Sequence, residues 1–280
     1  MSNNSQSTGG NFSFSPYISE VKGELQGTGP RERLELIQTK LPDLSDINAN
    51  EPGEGYRNFE LLSESNTDSQ LANHLLESAS KVLHFEYVYE QAETVKNIHE
   101  GELVDVETLT AHLVDVYWLG DIILFSGRSE DTSKAKNRLQ SELVGELRIE
   151  KVSFSTEILN EILDQKYTKR FNNEKNLEII DIRSLTAKGN ENVSQVSVHG
   201  GKEHQTYKKY LEDTSKVTQM IATFRYIDYS ILASISESTI HIYSITSSKS
   251  IGNNEKLLVS VLFTVAFIRN FRDSNPRIVK

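Results

Sequence analysis

The sequence predicts an α+β fold, a mainly antiparallel sheet with amphipathic helices packed on it, built as two pseudo-repeated halves behind a flexible N-terminal tail. Three observations predict it. Apolar strand-like runs meet over very short turns: Gly120-Asp121 between "VDVYWL" and "DIILFSG", and Ser236-Glu237-Ser238 between "SILASI" and "TIHIYSI". Connections that short make hairpins, because parallel neighbours need long crossovers. Helical spacing interrupts the strand runs, so strands and helices intermix along the chain. A strand ending in glycine and followed by a polar helix occurs twice, as "FSGRSEDTSKAKNRL" and "VHGGKEHQTYKKYL". Identity between the halves is low and strand–Gly–helix is a common motif, so chance recurrence stands beside duplication as an account.

The elements follow in chain order. Residues 1–28 are rich in Ser, Asn and Gly and poor in aliphatics, which predicts a tail that cannot offset its ordering entropy. Its exception is "FSFSPY" (12–17), either a stray apolar patch or an arm that docks on a neighbouring subunit or sheet edge. Pro30 opens a short helix with Leu34, Ile37 and Leu41 at helical spacing, and proline suits a first helical turn. Residues 45–56 read as a linker. Thr67 to Gln70 matches a capping box before a helix bearing Leu71, Leu75, Ala79 and Val82. "HFEYVYE" (84–90) alternates as a strand, and "EGELVDVE" (100–107) reads as a charged loop leading into a strand at 112–119.

Next come a strand over 121–126, a helix over about 130–145 with Ala135, Leu139, Leu143 and Leu147 on one face, a strand at 149–154 and a helix at 156–165. The last third reads as strands 177–187 and 193–199, a helix 203–217 with Tyr207, Tyr210, Leu211 and Val217, a strand 220–227 and a hairpin 229–245. A final helix begins near Asn254. It contains "LLVSVLFTVAFI", whose apolar character on every side predicts burial; the run is well short of the roughly twenty residues a membrane span needs. The predicted divisions are 1–55 (tail and short helix), 56–170 (first half) and 171–280 (second half with the buried helix).

Composition narrows function. The 280 residues are 37% hydrophobic and 25% charged with a formal charge of −10, enough for a sizeable core and unfavourable to a broad nucleic-acid or anionic-membrane footprint. The absence of cysteine removes disulfides, thiolate metal sites and cysteine nucleophiles. No signal peptide is expected, since the first residues hold neither a basic nor an apolar region. These points predict a cytoplasmic protein with no membrane contact and no cofactor.

The turn after "ILFS" has the layout of a phosphate loop or nucleophile turn, yet it matches neither the Walker spacing nor GxSxG. Gly127 and Gly200 are read as turn glycines, allowing either a positive φ or a tight turn, and Ser129 and Asp131 as N-cap candidates. Seven histidines are present, and His84, Glu86 and His112 form the candidate metal set for a metal-assisted hydrolase, because His84 and Glu86 share a strand face. Arg128, Lys134 and Lys136 with Lys166, Lys169, Arg170, Lys202, Lys208 and Lys209 form a candidate basic strip for a nucleic-acid-binding protein. The leading reading is a non-catalytic intracellular binding or assembly protein, a subunit of a homo- or hetero-oligomer. Its candidate interface is Phe12, Phe14, Leu257, Leu258, Leu262, Phe263 and Phe267.

Overall fold

The structure, a computed structural model, describes residues 11–44, 52–64, 73–99, 101–154, 159, 177–188, 195–199 and 216–274. It is a mostly antiparallel α+β fold, and the chain divides into two compact units. One unit comprises 19–69 and 76–149; the other comprises 1–18, 70–75 and 150–280. The divide near 149–150 lies some twenty residues before the sequence-derived boundary at 170.

In the first unit, β2 (Glu54–Leu61), β3 (Leu83–His99), β4 (Glu102–Leu119) and β5 (Ile122–Ser126) form an antiparallel meander in chain order. α1 (Pro30–Lys40) starts on Pro30 as predicted and buries Leu34 and Ile37. Its Arg33 lies over the Trp118 ring at 5.4 Å and donates to the Gly120 carbonyl at 3.2 Å, which fastens the helix to the β4–β5 turn. α3 (Ser129–Glu142) buries Ala135 and Leu139, the predicted apolar stripe. Trp118, Tyr56, Tyr87, Phe85 and Phe125 are the large side chains of this core. A short helix, α2 (Asn73–Ala79), stands where the sequence predicted one, while the capping box before it lies outside the described residues.

In the second unit the strand order is β1 (Phe12–Val21), β11 (Ile240–Thr246), β10 (Tyr229–Ser236), β9 (Lys216–Tyr226), β7 (Leu177–Lys188) and β8 (Gln195–His199). The division falls inside β1, of which residues 12–18 belong to this unit, and inside β6 (Leu147–Lys151), of which residues 150–151 do. α4 (Asn253–Ser274) packs on this sheet: Phe224 meets Phe263 and Phe267 with centroids 5.2 and 5.6 Å apart, and the Tyr229 hydroxyl donates to Glu255 at 2.8 Å. Among the described residues no helix is long and apolar enough to cross a membrane.

Four readings change. Residues 12–21 of the predicted tail form strand β1, and Phe12 and Phe14 pair with Ile242 and Ile240 of β11. The two-residue period of "FSFS" is a strand signal that the Ser-rich composition masked, and the ladder with β11 stops before Pro16, which has no amide to donate. "EGELVDVE" is strand from Glu102 onward, not loop. Val217 belongs to β9 and not to the helix predicted over 203–217, whose other named residues lie outside the described set, as does the predicted helix at 156–165 apart from residue 159. Gly127 is not at positive φ. A Cβ there would stand 3.2 Å from Val114 Cγ2 and 3.3 Å from the Leu113 carbonyl, so glycine gives room for a close approach to β4.

Candidate functional site

β2, β3 and β4 bring a polar cluster to one face of the meander. Register places Glu60 opposite His84, Arg57 opposite Glu86, and Glu86 opposite Asp115. His84 Nδ1 lies 3.0 Å from Glu60 and its Nε2 lies 3.0 Å from Asp115, while Arg57 donates to Glu86 at 2.7 Å. An imidazole with a carboxylate at each nitrogen can serve both only as an imidazolium, which has two N–H donors. Burial, the largest single influence on His84, opposes that charge. The hydrogen bonds and charges of Asp115 and Glu60 together outweigh it and hold the pKa above its ordinary value. The ring also stacks on Tyr117 at 4.9 Å. This arrangement ties three strands together, with each imidazole nitrogen facing a carboxylate at 3.0 Å.

The other face carries a second cluster under α3. Tyr89 and His112 stand opposite each other across the β3/β4 ladder and stack at 4.8 Å. The Tyr89 hydroxyl donates to Asp131 at 2.7 Å, and His112 Nδ1 lies 3.3 Å from the same carboxylate. Lys134 caps the outer side of the Tyr89 ring at 3.4 Å. Burial first, and then the bond to Asp131, push the Tyr89 hydroxyl up to about 12.

The predicted metal set is therefore divided between the two faces of the sheet. His84 and Glu86 share one face as the strand period requires, and His112 lies on the other, so the three do not converge. Among the described residues no group of three such side chains is arranged to hold a metal ion. Asp131 and Ser129 are not N-caps: Arg128 occupies the cap position without a side-chain bond, and Ser129 is the first helical residue. Ser126 closes β5 beside that turn.

Of the basic candidates, Lys134 lies on Tyr89, Lys136 contacts Asn137 at 3.4 Å, and Arg128 is exposed at the helix start. Their neighbour Arg138 is paired with Glu54 and Glu142. Lys166, Lys169, Arg170, Lys202, Lys208 and Lys209, like Gly200, lie outside the described residues. The candidate interface residues Phe14, Leu258, Leu262, Phe263 and Phe267 are buried within the chain, with Phe12 and Leu257 half-buried, so they present no open apolar face.

The feature that sequence reasoning missed is an arm. β3 and β4 are 17 and 18 residues long and pair in unbroken register from Leu83↔Trp118 to His99↔Glu102. β2 covers β3 only as far as Tyr89, and β5 covers β4 only from Asp115 onward. Beyond those points no further strand among the described residues flanks the hairpin, which continues as a two-stranded ribbon for about 30 Å at the usual strand rise. Gly101, just before β4, takes φ +89°. Ile98, Leu103 and Leu109 are 77%, 70% and 56% exposed, and by register they share the face opposite α3. The signal was present in "LVDVETL" (103–109), whose alternation the dense acids disguised as loop.

No protein-family model matches the sequence, and no curated protein matches it either.

Proposed function

We propose that the protein is a non-catalytic binding or assembly subunit and that the β3–β4 arm is the element with which it engages a partner. The observation that carries this is the bare ribbon bearing exposed Ile98, Leu103 and Leu109. A two-stranded ribbon gains little stability by itself in water. Large aliphatic side chains gathered on an exposed element mark interaction surfaces, since each contributes about 1.5–3 kcal/mol when fully buried.

Comparison of the halves supports the reading. The meander β2-β3-β4-β5 followed by α3 has the same order as β7-β9-β10-β11 followed by α4, and we read the two as a pseudo-repeat in this alignment. The hairpin of β9 and β10 that corresponds to β3 and β4 has strands of only 11 and 8 residues. The fold thus needs the covered part of β3 and β4 and not the arm. The committed hydrogen bonds of His84 and Asp115 favour this reading over hydrolysis, and the acidic arm favours it over nucleic-acid binding.

The test places a photocrosslinking residue at 98 or 103 in the producing cell, with exposed Val144 as the off-arm control, and sizes the purified chain by light scattering. Discrete adducts from the arm positions and not from 144 are expected, and any oligomer should be lost when residues 91–110 are replaced by an Asn-Gly turn. A monomer at every concentration with arm adducts no different from the control overturns the proposal.

A further inference from the structure

The arm also specifies the chemistry of its partner, an inference that rests on the reading just given. The two edges of the ribbon differ. Along β4, residues 102–109 hold Glu102, Asp105 and Glu107 with no basic residue; along β3, residues 90–98 hold Glu90 and Glu93 against Lys96. Between these acids β4 places Leu103, Val104, Val106 and Leu109, all exposed. Because β5 reaches only to Asp115, the backbone of β4 from 102 to 113 has no strand partner on its outer side among the described residues.

We infer that the outer edge of β4 accepts, as an added strand, an extended segment of a second protein that carries on one face two lysine or arginine residues two positions apart, with an aliphatic residue two positions beyond each. Backbone donors and acceptors of an open edge supply the ladder, and side chains opposite each position set specificity. On the face of Leu103, Asp105, Glu107 and Leu109, an incoming strand meets aliphatic, acidic, acidic and aliphatic side chains in turn. Charge complementarity asks for cations opposite Asp105 and Glu107 and aliphatics opposite the leucines. A second copy of the arm would set acid against acid, which disfavours self-pairing. A phosphate backbone or an anionic bilayer meets the same repulsion.

The experiment titrates the purified full chain with fluorescent peptides: one of pattern Leu-Thr-Lys-Thr-Lys-Thr-Leu, its twin with glutamate in place of lysine, and the lysine peptide with a central proline. The lysine peptide is expected to bind most tightly, to weaken with salt, and to lose binding when proline removes a ladder donor. Asp105→Lys with Glu107→Lys should weaken it by about tenfold or more, and Leu103→Ser should weaken it while Val144→Ser does not. Amide exchange on the unmodified chain should slow along 102–109 when the lysine peptide is present, a readout that needs no variant. Equal binding of both charged peptides, binding indifferent to the β4 substitutions, or no binding at all overturns the inference. Arm-dependent self-association without peptide also overturns it, and that outcome leaves the assembly reading standing.

Discussion

His84 links protonation to stability through a single side chain. Its folded pKa is raised because Asp115 and Glu60 each hold one ring nitrogen at 3.0 Å, against the cost of burial. A raised histidine stabilises the fold fully below its unfolded pKa of about 6.5, and that stabilisation is lost as pH climbs through the folded value. The melting temperature should therefore decline from about pH 6.5 upward, and His84→Gln should remove this part of the slope. Melts of both proteins across that window decide it; an unchanged slope in His84→Gln would place the proton elsewhere. His84→Ala should also cost about 1.5–3 kcal/mol at neutral pH, the range for a hydrogen bond to a charged group, because it leaves Glu60 and Asp115 without the donor between them. Gly127 offers a second test. Since an added methyl would crowd Val114 Cγ2 at 3.2 Å, Gly127→Ala should lose about 1–2 kcal/mol through overpacking, read as a lower urea midpoint at constant slope.

The arm should behave as a separate region of low stability. Among the described residues its strands from 91 to 110 have no third strand, so their amides should exchange through local opening, while those of 83–89 and 115–119, flanked by β2 and β5, exchange far more slowly. Replacing 91–110 with an Asn-Gly turn should leave the urea midpoint of the body almost unchanged, because no buried side chain leaves with the arm; a large drop would show that the ribbon supports the fold. Patterns of spacing carried most of the architecture into the sequence. Pro30 marked α1, Ala135 and Leu139 marked α3, and the short turns at Gly120 and Ser236 marked two hairpins, all local signals with a physical cause. The arm and β1 were not legible because acids and serines alternate with the apolar residues there, and composition outweighed period. The histidine clusters were not legible either. Whether His84 and His112 share a face depends on the register of β3 against β4, which a single strand does not reveal. Gly127 was seen as special, but its reason, a neighbouring strand at van der Waals distance, is a tertiary fact.

The whole chain separates two kinds of apolar surface that look alike in sequence. "LLVSVLFTVAFI" and "LVDVETL" both present aliphatic runs, yet Leu258, Phe263 and Phe267 are buried in the chain's own core while Leu103 and Leu109 face solvent. Substitutions in the two runs should therefore have opposite consequences. Phe263→Ala opens a cavity against Phe224, Tyr226 and Phe267, which pack around it at 5.2–6.1 Å between centroids. It should lower stability by about 3–5 kcal/mol, the usual range for a buried aromatic, with arm crosslinking unchanged in the folded fraction. Ile98→Ser removes an already exposed side chain and should change stability by less than about 0.5 kcal/mol, the range for surface positions, while diminishing the arm adducts and any arm-dependent assembly. Paired urea titrations and crosslinking yields on these two variants measure both axes at once. Loss of adducts in Phe263→Ala at full folding, with Ile98→Ser indistinguishable from the parent, would return the interface to α4 and remove it from the arm.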